Sequence, residues 1–177
     1  MNIAVFCASS DNVGSEYRQL AHSLGEWIGR KGHVLVYGGA TGGLMDEVAG
    51  GAHSENTEIV GIIPQSVIDR GRMSDLPTEL LKVSDLGERK AMLKEYADVF
   101  VALPGGFGTL DEMMDAISAR KLAETDARTI IVNVNGFYDG LEMLIGRFNA
   151  DGLGKPVDAE CYSIVYSFDE LIEELSR

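Results

Sequence analysis

Three junctions follow short apolar runs, Ser9-Ser10 through Gly14, Gly38-Gly39-Ala40-Thr41-Gly42-Gly43, and Pro104-Gly105-Gly106-Phe107-Gly108-Thr109, and the last two are unusually rich in glycine. Backbone N–H groups at a helix start carry partial positive charge, and where side chains are absent they can approach a phosphate closely. A single pair of glycines is explained by a tight turn. Two glycine-rich junctions at adjacent strand ends instead point to anion binding. Neither run is a familiar nucleotide fingerprint. Gly38 to Gly43 has P-loop spacing, but Leu44 and Met45 stand where Lys and Ser/Thr are required, which excludes Walker-type NTP chemistry. No G-x-G-x-x-G follows the first apolar run, so dinucleotide binding has no support.

Three charged residues near these junctions could do chemistry. Thr109-Leu110-Asp111-Glu112 fits a Thr-x-x-Glu capping box, as does Ser167-Phe168-Asp169-Glu170. A cap accounts for Glu112, yet its helical angle is opposite the stripe of Leu110, Met113, Met114 and Ile117, which frees it to face a cleft. From Asp85 to Ala97, Leu86, Leu93 and Ala97 share one face, with Arg89 and Lys90 on its flanks. These cations either snorkel past the edge of a core helix or aim at a phosphate or departing base, Arg89 being suited to planar contacts. Spacing alone leaves both readings open.

The elements that must position these residues alternate in type. Ile3–Ala8, Val34–Tyr37, Ile59–Ile63, Leu80–Val83, Val99–Leu103 and Ile130–Val134 read as strands. Helical stripes run through Tyr17, Leu20, Ala21, Leu24 and Ile28, through Tyr138, Leu141, Leu144, Ile145 and Phe148, and through Phe168, Leu171, Ile172 and Leu175. The stretch from Gln65 to Thr78 reads as a short helix and a surface loop. Wholly apolar strands between amphipathic helices predict a parallel sheet covered on both faces, a doubly wound Rossmann-like α/β fold. Ligands of such sheets bind beyond the carboxyl ends of the strands, where strand order reverses.

At 177 residues the chain is expected to form a single domain, residues 1–177. Its net charge of −13 argues against nucleic acid and anionic membranes as partners, while a local pocket can still take a small anion. Cys7 and Cys161 read as reduced core residues, no leader or bilayer-length apolar run is present, and a cytoplasmic location is expected. His22, His33 and His53 have no ligand spacing, so no metal is expected.

Pro104-Gly105-Gly106-Phe107-Gly108-Thr109-Leu110-Asp111-Glu112 resembles the P-G-G-x-G-T-x-x-E signature of the LOG ("lonely guy") family, and Glu88-Arg89-Lys90 is similar to its upstream R-K element. Val5 to Ser10, Tyr37-Gly38-Gly39 with Gly43-Leu44-Met45, and Gly61-Ile62-Ile63-Pro64 fit in order and spacing, so the resemblance spans nearly the whole chain. It implies a phosphoribohydrolase that splits a nucleoside 5′-monophosphate, such as AMP or a cytokinin ribotide, into free base and ribose 5-phosphate, without a cofactor. It implies Arg89 and Glu112 as the catalytic pair and Gly105 through Thr109 as the phosphate loop. Lys90, Asp111, Ser9 and Gly39 are assigned to substrate or phosphate binding. A homodimer with sites near the subunit interface is implied as well. Related proteins hold a cofactor on a similar loop, which makes a carrier without turnover the alternative. The chain departs from the family pattern at Ala40, Asp46, Gly71 and Ala119–Ala123, with Asp46 placed to crowd or repel a phosphate.

Overall fold

The computed structural model describes residues 1–155 and 160–177. Seven strands alternate with helices along the chain: β1 (Asn2–Phe6), α1 (Ser15–Arg30), β2 (Val34–Tyr37), α2 (Gly43–Ser54), β3 (Ile59–Pro64), α3 (Gln65–Ile68), β4 (Glu79–Val83), α4 (Leu86–Tyr96), β5 (Val99–Ala102), α5 (Phe107–Lys121), β6 (Arg128–Val132), α6 (Asp139–Ala150), β7 (Tyr162–Val165) and α7 (Phe168–Leu175). The strands form one parallel sheet in the order β4-β3-β2-β1-β5-β6-β7. The Rossmann-like expectation holds, and strand order reverses at β1, with β2 on one side and β5 on the other.

Alternation along each strand sends side chains to two cores. Ile3, Val5 and Cys7 pack with Leu24 and Ile28 of α1 and with Leu44 and Val48 of α2. Ala4 and Phe6 pack on the opposite face with Leu93 of α4 and with Met113 and Ala116 of α5. Because both faces are covered, the central strands can be apolar throughout, and this is why they stood out in the sequence.

Several elements differ from expectation. α2 and β7 had not been read. β7 is a short edge strand whose first three residues are only partly buried, so it lacks the continuous apolar run. α2 contains Gly43, Gly50 and Gly51, which weaken a helical signal. The glycines serve packing: a Cβ on Gly51 would come within 2.1 Å of the His22 carbonyl oxygen, and one on Gly25 within 2.1 Å of that of Val48. The α1 and α2 backbones therefore touch, with no side chain between them.

The capping box at Ser167 is present, its Oγ accepting from the Glu170 N–H at 3.2 Å. Glu170 reaches back to the Tyr166 N–H rather than that of Ser167. A similar arrangement, not anticipated, starts α4: Asp85 accepts from the Glu88 N–H at 2.9 Å, and Glu88 accepts from the Ser84 N–H at 2.7 Å.

Candidate active site

The three junctions meet at the carboxyl end of the sheet. The Ala8 N–H donates to the Pro104 carbonyl at 3.2 Å, and the Leu44 N–H donates to the Ala8 carbonyl at 2.9 Å. Arg72 adds a tie that no sequence signal suggested, since its Nη2 donates to the carbonyls of Ser9 and Thr41.

All three junctions start helices, at Gly14, Gly42 and Gly106, and the last two differ in which side chains take their first amides. At α2, the Gly42 N–H donates to Asp46 at 2.7 Å and the Gly43 N–H donates to Asp11 at 3.0 Å. Asp46 thus serves as a local partner for its own loop, and these two amides are committed within the chain. At α5, Gly106 is the N-cap and no described side chain caps the helix. The expected capping box is corrected here: Thr109 lies inside the helix, buried, with its side chain beneath Gly105. A Cβ on Gly105 would lie 2.0 Å from the Thr109 Oγ1, so only glycine lets the loop close over the hydroxyl. The first amides of α5, at the positive end of its dipole, therefore have no described side-chain partner.

Beside this helix start lies a cavity of about 280 Å³ lined by Cys7, Ala8, Ser9, Ser10, Met45, Arg89, Gly106, Gly108, Thr109 and Glu112. Its two charged residues face each other, with Arg89 Nη2 2.5 Å from Glu112 Oε1. Both are nine-tenths buried, at 9% and 8% exposure. That placement corrects the helical reading on both sides. On α5 the buried face is Thr109, Glu112, Met113 and Ala116, so Glu112 belongs to it rather than opposing it. On α4, Arg89 and Leu93 are the buried residues and Leu86 is exposed, so Arg89 does not snorkel.

Burial pushes the Glu112 carboxyl above the ordinary carboxylate range, and the Arg89 guanidinium against it pulls in the opposite direction. Burial also drives the Cys7 thiol far up, so it remains protonated and is a neutral wall rather than a nucleophile. The Arg89 Nε is buried with no hydrogen-bond partner.

The remaining expected residues fall in different places. Ser9, Gly106, Gly108 and Thr109 line the cavity with the pair. Gly105 lies on the far side of the loop, where it borders a second hollow with Ala8, Tyr17 and Phe137. Lys90 and Asp111 are outside the cavity and bound to each other at 2.9 Å. Lys94 with Asp115 at 2.7 Å extends the ladder that clamps α4 to α5. Gly39 is turned away, against Ile63 and Leu80. Sequence reasoning missed Cys7, which read as core, and Met45, which was weighed only against the P-loop and family patterns, as lining residues. No group of residues suited to a metal occurs among the described residues, and no described helix is long and apolar enough to cross a membrane.

A parallel sheet reversing at β1, with a glycine-led helix start that no described side chain caps beside a buried ion pair, defines a Rossmann-type protein. The chain matches, over residues 45–175, the family model described as "possible lysine decarboxylase". It is 34% identical over 175 residues to a cytokinin riboside 5′-monophosphate phosphoribohydrolase of Arabidopsis thaliana, covering 99% of this chain and 81% of that protein. Identity to such a protein from Oryza sativa subsp. japonica is 37% over 150 residues, covering 85% and 62%. The chain belongs to this family, the LOG family. In fold it is similar to the molybdenum cofactor carrier protein of Chlamydomonas reinhardtii, with a TM-score of 0.75 at 20% identity over 99% of this chain and 95% of that one.

Proposed function

We propose that this chain hydrolyses the N-glycosidic bond of a nucleoside 5′-monophosphate, AMP or a cytokinin ribotide, releasing the base and ribose 5-phosphate. The observation that carries this reading is the buried Arg89–Glu112 pair facing the same cavity as the uncapped start of α5. The relatives' names point to the same reaction.

In this reading the phosphate sits on the amides at Gly106 to Thr109. The cavity is at the small end of the usual range of ligand pockets, roughly 300–1,000 Å³, which suits a phosphoribosyl group with the base at the mouth. Water attacks the anomeric carbon, the C–N bond breaks, and its electron pair goes to the base nitrogen. Glu112 accepts the proton from that water and offsets the positive charge that develops on the ribose. Arg89 stabilises the negative charge growing on the base, and the proton taken up by Glu112 then passes to the departing base, which restores the carboxylate. Because the pair is shielded from solvent, these charges act through a low dielectric. None of the lining residues is a lysine, so a Schiff-base decarboxylase has no support at this site. We propose further that the protein works in the cytoplasm as a homodimer.

The fold it shares with a cofactor carrier makes binding without turnover the second reading. Incubating the protein with AMP and following adenine by chromatography separates the two. Stoichiometric release over many turnovers supports hydrolysis. AMP that binds and stays intact would sink the enzymatic reading in favour of the carrier.

A further inference from the structure

We infer that Gly38 is a positioning residue for Arg89: the bare Cα at the end of β2 is the slot in which the guanidinium lies. This rests on the reading above for the meaning of the Arg89–Glu112 pair, although the geometry stands by itself. A Cβ on Gly38 would sit 2.5 Å from Arg89 Nη2 and 3.2 Å from its Cζ, with the Met45 methyl at 3.1 Å. The nitrogen nearest to that position is the same Nη2 that holds Glu112. One methyl group therefore competes directly with the ion pair.

The backbone does not explain the glycine. Gly38 is not among the residues with positive φ, so alanine fits its conformation. The strand end also has little freedom to move aside. Tyr37 is in register with Val5 on one side and Gly61 on the other, and the Gly39 carbonyl accepts from the Ser74 N–H at 3.0 Å. The Met45 tip is flexible and can yield. What must move is the guanidinium, whose Nε has no partner among the described residues, and the contact it gives up is the one to Glu112. The first glycine of the second loop thus acts on the cation from α4 rather than on the phosphate.

The test uses the full-length protein carrying Gly38→Ala, Arg89→Ala, or both. In the wild type, the ¹⁵N resonance of the Arg89 Nε–H, assigned by its loss in Arg89→Ala, should exchange slowly with solvent. Gly38→Ala should shift it and speed its exchange. It should also lower kcat for base release by about tenfold or more while KM for AMP stays within about twofold, because the α5 start is untouched. Its melting-temperature penalty should vanish in the Arg89→Ala background, where the slot is empty. If Gly38→Ala does not fold but the double variant does, the proposal is supported in stronger form. An unmoved Nε–H, an equal penalty in both backgrounds, or failure of both variants to fold would each overturn it. A wild type that releases no base would refute the enzymatic reading alone, and the resonance and melting arms would still decide the role of Gly38.

Discussion

Glu112 carries the most direct test of the chemistry. Its carboxylate caps nothing and instead faces Arg89, so Glu112→Gln bears on the pair and not on the start of the helix. Base release should fall by roughly two or more orders of magnitude, because an amide cannot accept a proton from water. AMP affinity measured by calorimetry should stay close to wild type, since the phosphate seat lies elsewhere. The melting temperature should hold, because the amide keeps an oxygen that accepts from Nη2 and imitates the uncharged carboxyl that burial favours. The pH dependence has a definite sign. The folded-state pKa of Glu112 is raised by burial, so the folded form binds its proton more readily than the unfolded form. Its contribution is fully present below the unfolded value, is lost as pH rises through the folded value, and is constant above it. Melting curves across that window should show a decline in the wild type that Glu112→Gln lacks, and identical pH profiles would remove the carboxylate from the account.

The helices decide whether those residues meet. α4 delivers Arg89 and α5 delivers Glu112, and Lys90 with Asp111 and Lys94 with Asp115 tie the two together on the outside. At the start of α5, Gly105→Ala should break the closure over Thr109, because the new Cβ would overlap the hydroxyl. AMP binding measured by titration should then weaken at least about tenfold, the loss of one charge-assisted hydrogen bond. Unchanged affinity would place the phosphate elsewhere. At this scale the sequence was readable where burial made a long pattern. The six strands it suggested are all present: five lie inside the sheet with both faces covered, while β4 is an edge strand whose Lys82 is exposed. β7 was not legible, since an edge strand with Ser163 in its middle resembles a loop. Arg89 could not be separated from a snorkelling residue, because amphipathicity assumes that charges seek water, and this one is buried against a carboxylate. Gly38 to Gly43 was legible as a close-approach segment, but not which atoms approach it. That depended on Asp11 and Arg89, distant in sequence, arriving at the same place.

For the molecule as a whole, the surface of α6 bears on assembly. None of its residues is buried, and Met143 and Leu144 are 73% and 51% exposed, with Leu153 just beyond it at 76%. On a chain of net charge −13 such apolar surface is expected to be covered by a second copy. Light scattering at micromolar concentration should give twice the chain's mass, and Met143→Glu with Leu144→Glu should shift it toward the monomer. A monomer mass for the wild type would contradict the dimer. The strand order has a consequence of another kind, for the chain as it leaves the ribosome. β1 is made first but is not completed until β5 arrives: Ile3 pairs with Leu35 on one side and with Val99 on the other. A nascent chain that has emerged through β4 can assemble β4-β3-β2-β1 with β1 still an open edge, and domains emerge N-terminus first at about 5–20 residues per second. Arg89 precedes β5 and Glu112 follows it, so neither is fixed until β5 closes that edge. During synthesis the cavity therefore does not exist until α5 has emerged, and a ligand of that cavity cannot template the first half of the fold.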